Sequence, residues 1–140
     1  MPITTADGHV EVVLGDAECR QLLATATIGR VGLSIDALPV VLPVSFVVDG
    51  DRIVFRTCAG AKLQQALHRA VVCFEVDDVD VLDDAGWSVL VTGEASEITD
   101  PADLERVRAL ALRPWGGDDA EHVVQIRIGL ISGRRIGANR

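Results

Sequence analysis

Hydrophobic and polar residues alternate with a period of two along much of this chain. Between Ile28 and Ile35, Val31, Leu33 and Ile35 alternate with Arg30, Gly32 and Ser34, which predicts a half-buried strand. Val40 to Val48 is apolar at both parities and predicts a strand covered on both faces. Asp49-Gly50 then reads as a two-residue hairpin turn, because left-handed backbone angles suit Asp and Gly, and Arg52 to Thr57 as the returning strand. Val71 to Val76, Trp87 to Ile98, His122 to Ile128 and Leu130 to Ile136 complete the strands. An acidic loop, Asp77 to Asp84, separates two of them. Gly93 marks a bulge or a close approach of another backbone, and the last two strands bend around Gly129 or Gly133.

Three short stretches have helical spacing instead. Asp16 caps a helix with Leu22, Leu23 and Ala26 on its apolar face. Lys62 to Arg69 carries Leu63, Ala66 and Leu67 on one side. Asp100-Pro101 opens a third helix, with Asp as the cap and Pro at the first position, where its missing N–H costs nothing. Its stripe is Leu104, Val107 and Leu110-Ala111, and Arg113-Pro114 ends it. Six or seven strands joined by hairpins or single helices predict a mainly β, antiparallel barrel over residues 1–140 as one domain. The helices offer only three or four apolar residues each. The outward apolar row of Val40, Leu42 or their neighbours therefore needs a second copy to cover it, and a homodimer is expected.

Composition narrows the class. Hydrophobic residues make up 49% and charged residues 24%, enough for a packed core. Aromatics are only 4%, so that core is aliphatic. A net charge of -8 argues against nucleic acid as a partner, since such binding needs a concentrated basic face. Cys19, Cys58 and Cys73 form no CxxC pair and no disulfide framework, which points to reduced thiols in the cytoplasm and no zinc. No secretory leader is apparent, and the apolar run at Val40 to Val48 is too short for a membrane helix.

Familiar catalytic patterns are missing. There is no GxGxxG after a strand, no HExxH and no EF-hand spacing in the acidic cluster Asp77, Asp78, Asp80, Asp83 and Asp84, so no metal is expected. His68 falls on the polar side of its helix, and His122 begins a strand. Arg134-Arg135 reads as a surface salt-bridging pair. Lys62 is the only lysine and stands where a strand, a small-residue turn and a helix start meet. A helix start favours anions, and a lysine there helps only if an anion is held; a solvated lysine is the plainer reading. Trp87 and Trp115 each lie beside glycine and either cover a ligand or seal an end of the barrel.

Taken in order, the run Pro39-Val40-Val41-Leu42-Pro43-Val44-Ser45-Phe46, the Asp49-Gly50 turn, Phe55-Arg56-Thr57, Gly60-Ala61-Lys62-Leu63 and Gly86-Trp87-Ser88-Val89-Leu90-Val91-Thr92-Gly93 resemble the pyridoxamine 5'-phosphate oxidase-like split-barrel flavoproteins. The likeness is greatest to the actinobacterial branch of flavin and deazaflavin oxidoreductases. Pro114-Trp115 and Ile131-Ser132-Gly133-Arg134-Arg135-Ile136 also fit, so about residues 16–136 are covered. The resemblance implies a homodimer of six-stranded antiparallel split barrels with two FMN sites between the subunits. It implies Lys62 and Arg56 on the FMN phosphate, with Thr57 and the backbone around Ala61 assisting and Leu63 closing the motif. Pro43, Val44, Ser45 and Phe46 would lie along the isoalloxazine ring, with Trp87 and Trp115 near the ring or its open face. The implied activity is hydride transfer through the flavin to a small-molecule substrate. A deazaflavin cofactor, or a non-catalytic flavin or haem carrier with His122 as the haem candidate, are the alternatives. The chain departs from the pyridoxamine oxidases proper: Val40 or Val41 falls where they carry Arg, and the phosphate turn is one residue shorter. That speaks against pyridoxamine phosphate as the substrate.

Overall fold

The computed structural model describes residues 2–4, 9–57, 60–110 and 122–138. Nine strands and three helices follow in the order β1 (Pro2–Thr4), β2 (His9–Val13), α1 (Asp16–Thr25), β3 (Ile28–Ile35), β4 (Leu38–Asp49), β5 (Arg52–Thr57), α2 (Ala61–Ala66), β6 (Ala70–Asp80), β7 (Ala85–Glu97), α3 (Pro101–Arg108), β8 (His122–Arg127) and β9 (Leu130–Ala138). Strands β3, β4, β5, β8, β7 and β6 pair antiparallel in a closed ring, the six-stranded barrel that the alternation predicts. The barrel is split because one edge of β7 serves two partners, while β6 holds the other. The Ala95–Glu97 end of β7 pairs with β8, while Gly86 to Thr92 pairs with β9. Beyond β9 the sheet continues through β2 to β1, two strands that the sequence pattern does not reveal.

Two glycines make this geometry possible. A Cβ on Gly93 would overlap the carbonyl oxygen of Arg127, so only glycine lets the end of β8 cross β7 this closely. Gly50 has a φ of 60° and, with Asp51, forms the loop between the paired residues Asp49 and Arg52. The turn therefore lies one residue later than Asp49-Gly50. Asp36 and Ala37, with φ of 51° and 64°, make the corresponding tight turn between β3 and β4.

Inward-facing side chains fill the barrel. Val31, Leu33, Val44, Phe46, Ile53, Phe55, Phe74, Val76, Val89, Val91, Val124 and Ile126 form one aliphatic cluster, with Phe46 and Phe74 edge to face at 4.7 Å between ring centroids. At one end α1 adds Cys19 and Leu23, both fully buried, and Arg20 reaches Asp51 in the β4–β5 turn at 3.0 Å. At the other end of β5, Leu67, the residue that ends α2, enters the same core. A second cluster of Val54, Ile98, Val107 and Val123 lies on the outside, where α3 covers β5 and β8. As expected, Asp100 caps α3 by accepting from the Asp103 N–H at 3.0 Å, with Pro101 at the first position.

Several boundaries differ from the pattern-based reading. Gly15, not Asp16, occupies the cap of α1; Asp16 is the first helical residue, and its carboxylate receives Arg20 Nε at 2.6 Å. Helix α2 stops at Ala66 and α3 at Arg108, while Arg113 and Pro114 lie outside the described residues. The largest change is in β6. It runs on to Asp80, so half of the supposed acidic loop is a strand paired with β7. Nor is β4 covered on both faces within one chain. Val40 and Leu42 face inward, whereas Val41 is 65% exposed. No helix among the described residues is long and apolar enough to cross a membrane.

The Gly93–Arg127 crossing yields a test. Gly93→Ala must push β8 away from β7 and should cost about 3 kcal/mol, the upper range for overpacking a tight site. Chemical denaturation of the variant beside the wild type measures it; an unchanged midpoint would mean the crossing is looser than described.

Candidate functional site

Several of the candidate side chains lie on the outer surface of the barrel. Along β4, Val44 and Phe46 are 6% and 4% exposed and face the core, so Pro43, Ser45 and Val47 face outward. Register then brings the next element in. Phe46 pairs with Phe55 as the last pair of this ladder, and Ser45 and Arg56 are the next residues beyond it, one on each strand. On the other side Ser45 pairs with Ile28. A cleft of about 620 Å³ opens here, between Ala26, Thr27 and Ile28 after α1, Ser45 and Val47 on β4, and Leu110 after α3. Its size and mostly apolar lining suit an organic ring system.

The remaining sequence-derived candidates fall into two groups. Arg56 and Thr57 end β5 and pair with Val123 and His122. Two residues after Gly60 begins the approach to α2, Lys62 stands in the first turn, preceded by Ala61 and followed by the half-buried Leu63. The side chains of Ala61 and Lys62, and all of Trp115, lie outside the described residues. Trp87 is elsewhere. It sits at the start of β7, opposite Asp78 and Arg135, and packs on the rim of the core. The structure thus brings Pro43, Ser45, Arg56 and Thr57 to one region and keeps Trp87 apart from it. Arg134 and Arg135 lie within ion-pair range of Glu11 and Glu18, at 3.6 and 3.9 Å, as surface residues.

An ionic network fixes the cleft's roof. Arg52, half-buried, donates to Asp49 at 2.8 Å, to both Asp103 oxygens at 2.8 Å and to Gln125 Oε1 at 2.8 Å. Arg106 donates to Asp49 at 2.7 Å. The Arg106 and Arg52 hydrogen bonds together hold the Asp49 carboxyl down to about 2. These contacts tie α3, and hence Leu110, to the β4–β5 hairpin.

Two polar groupings were not foreseen. His122 Nδ1 lies 2.7 Å from Glu97 Oε1 and 2.7 Å from Gln64 Nε2, linking β8, β7 and α2 at the barrel end. On the outer face of β6, Glu75 and Asp77 share Arg30 of β3, at 3.3 and 3.4 Å. Burial, reinforced by Asp77, pushes the Glu75 carboxyl up to about 7. The signal for this pair was present as Glu75 and Asp77 at a period of two, but it is invisible once the strand is ended at Val76.

Comparison with known proteins agrees with this architecture. Residues 15–135 match the family model described as pyridoxamine 5'-phosphate oxidase. The chain belongs to this family. Rv0080, an uncharacterised protein of Mycobacterium tuberculosis, is 38% identical over 133 residues, covering 91% of this chain and 87% of its own. An FAD-binding protein from Mycobacterium smegmatis has 36% identity and a TM-score of 0.77, with 90% of this chain and 98% of that one covered. A candidate pyridoxamine 5'-phosphate oxidase from Corynebacterium glutamicum has 30% identity and a TM-score of 0.80, with coverage of 91% and 98%. Both the family and the split barrel anticipated from the ordered motifs are thereby shown.

The opposite facing of Val44 and Ser45 can be checked by folding alone. Val44→Asp buries a carboxylate in the barrel and should cost about 4 kcal/mol or prevent folding, whereas Ser45→Trp, at the cleft, should melt within a few degrees of wild type. Equal melting temperatures for the two variants would reverse the assignment of faces.

Proposed function

We propose that this protein binds a flavin, FMN, and works as an oxidoreductase that passes hydride through it to a small-molecule substrate. The observation that carries the reading is an apolar cleft lined by Ser45, with Arg56 just beyond the end of the β4–β5 ladder on the outer face. A flat ring and an anionic tail need that combination of wall and cation. The main chain of Pro43 to Phe46 would meet the polar edge of the ring, because Val44 and Phe46 turn their side chains inward. Arg56 and Lys62, with Thr57, would hold the phosphate. The bound flavin would supply the redox chemistry, and the chain would supply position, exclusion of water and a fixed charge near the tail. The relative from M. smegmatis, named as FAD-binding, supports a flavin and makes FAD the second reading, with the same phosphate anchor.

Two copies acting together complete the proposal. Its support is the half of the outer face that α3 leaves open. There Val41 on β4 at 65%, Val71 on β6 at 72%, Leu90 on β7 at 43% and Leu130 on β9 at 71% are exposed. Large apolar side chains exposed on one face of a small chain suit an interface, and closed two-fold pairing is its commonest cover. Cys19 and Cys73 are free thiols, which suits the cytoplasm.

Absorbance of the purified protein and mass identification of the released cofactor test the flavin directly and separate FMN, FAD, deazaflavin and haem. Lys62→Ala should weaken FMN binding by about 1.5–3 kcal/mol, the range for a hydrogen bond to a charged group. Riboflavin, which lacks the phosphate, should bind both proteins alike. Equal FMN affinity in the two would remove Lys62 from the site. If the flavin is shared between two chains, dilution that separates them should release it at the same concentration. A stable monomer that keeps its flavin in light scattering would refute the shared site.

A further inference from the structure

The open face carries one charged cluster among its apolar residues. Glu75 stands at the centre of a row running across four strands, Pro43 of β4, Arg30 of β3, Glu75 of β6 and Leu90 of β7. Arg30 is shared by two carboxylates, through Nη1 to Glu75 Oε1 at 3.3 Å and to Asp77 Oδ2 at 3.4 Å. With both carboxyls ionised, the cluster holds one negative charge in excess. The neighbouring elements do little to offset it. Towards this face β7 presents Ser88, Leu90 and Thr92, and β4 presents Val41, Pro43 and Ser45, none of them charged. Arg134 of β9 lines the same groove but lies within ion-pair range of Glu11, and Asp84 at the groove's rim adds a further acid.

We propose that pairing of two copies across this face is proton-linked: Glu75 takes up a proton from solvent when a second copy covers the Arg30–Glu75–Asp77 cluster. This rests on the reading that two copies pair here. Covering the face strips water from an excess anion, and the cations an identical second copy brings to this groove, its own Arg30 and Arg134, already face carboxylates. Binding one proton per chain removes the excess charge and turns Glu75 into a donor that Asp77 can accept. Water loss at the surface already raises the Glu75 carboxyl, and fuller burial acts in the same direction. The sign follows. A carboxyl raised in the paired state favours pairing while it keeps its proton, so pairing is strongest below about pH 7 and weakens as the pH rises.

Sedimentation velocity on dilution series of the cofactor-loaded protein, from about pH 6 to about pH 8.5, tests this. For wild type we expect the dimer dissociation constant to rise at least tenfold across that range. Glu75→Gln should keep the low-pH affinity at every pH, and Asp77→Asn should move the transition downward. A wild-type dimer whose affinity does not change with pH, or a Glu75→Gln dimer with the wild-type slope, overturns the proton link and leaves the pairing intact. A protein that is monomeric at all pH values overturns the pairing itself, and the proton link with it. Thermal melts of both variants confirm that they are folded.

Discussion

Closure of the barrel depends on one strand serving two neighbours. Strand β7 gives its last residues to β8 and its first seven paired positions to β9. The crossover is possible only where backbone meets backbone without a side chain, and Gly93 against Arg127 is that place. Once β8 is seated there, it can also pair with β5 along its whole length, which closes the ring. The split then leaves β9 free to extend the sheet outward, carrying β2 and β1. The wide outer face of β4, β3, β6, β7 and β9 is therefore a product of closure, and the site and the proposed subunit contact both lie on it.

The outer surface as a whole is divided between two kinds of cover. Helix α3 packs on β5 and β8 and gives Val54 and Val123 a second small core. No described element lies over Val41, Leu90 and Leu130, which remain exposed. At the border between the covered and open halves sit Ser45 and Arg56. A ligand there would have one flank on this chain's cleft and one toward whatever covers the open half. The division also explains why a charge cluster at Glu75 is tolerable: solvent reaches it in the single chain, and only a covering partner would withdraw that solvent.

Much of the fold was legible because the strands are half-buried. Val31, Leu33 and Ile35 against Arg30, Gly32 and Ser34 gave the face of β3 correctly, since water and core impose opposite demands on alternate residues. Asp100-Pro101 gave the start of α3, since capping chemistry is local. What failed was non-local. The end of β6 is set by its pairing with β7, and no residue from Asp77 to Asp80 announces a strand on its own. Strands β1 and β2 exist by virtue of the edge that β9 offers. At the site, the ordered motifs singled out Ser45 and Arg56 separately; that both flank the end of one ladder comes only from the register of β4 against β5. Leu110 and Ile28, read from local spacing as a helix stripe and a strand end, carry no local signal for the cleft they shape.

The charge distribution fits this division of labour. In a chain of net charge -8, twelve of the thirteen basic residues are arginine, and several act as clamps. Arg52 satisfies two aspartates and a glutamine at once, a task that suits the planar fork of a guanidinium better than a lysine ammonium. Because Arg52 and Arg106 hold Asp49 at about 2, the network is at full strength above the ordinary carboxylate range and is lost only as the pH falls below that range toward about 2. The hairpin and α3 thus stay locked throughout the range in which Glu75 changes charge. Two carboxylate systems on one barrel are separated by environment: one is saturated with guanidinium and does not respond near neutral pH, while the other shares a single arginine and does. A protein built this way can alter the open face without loosening the roof of the cleft beside it.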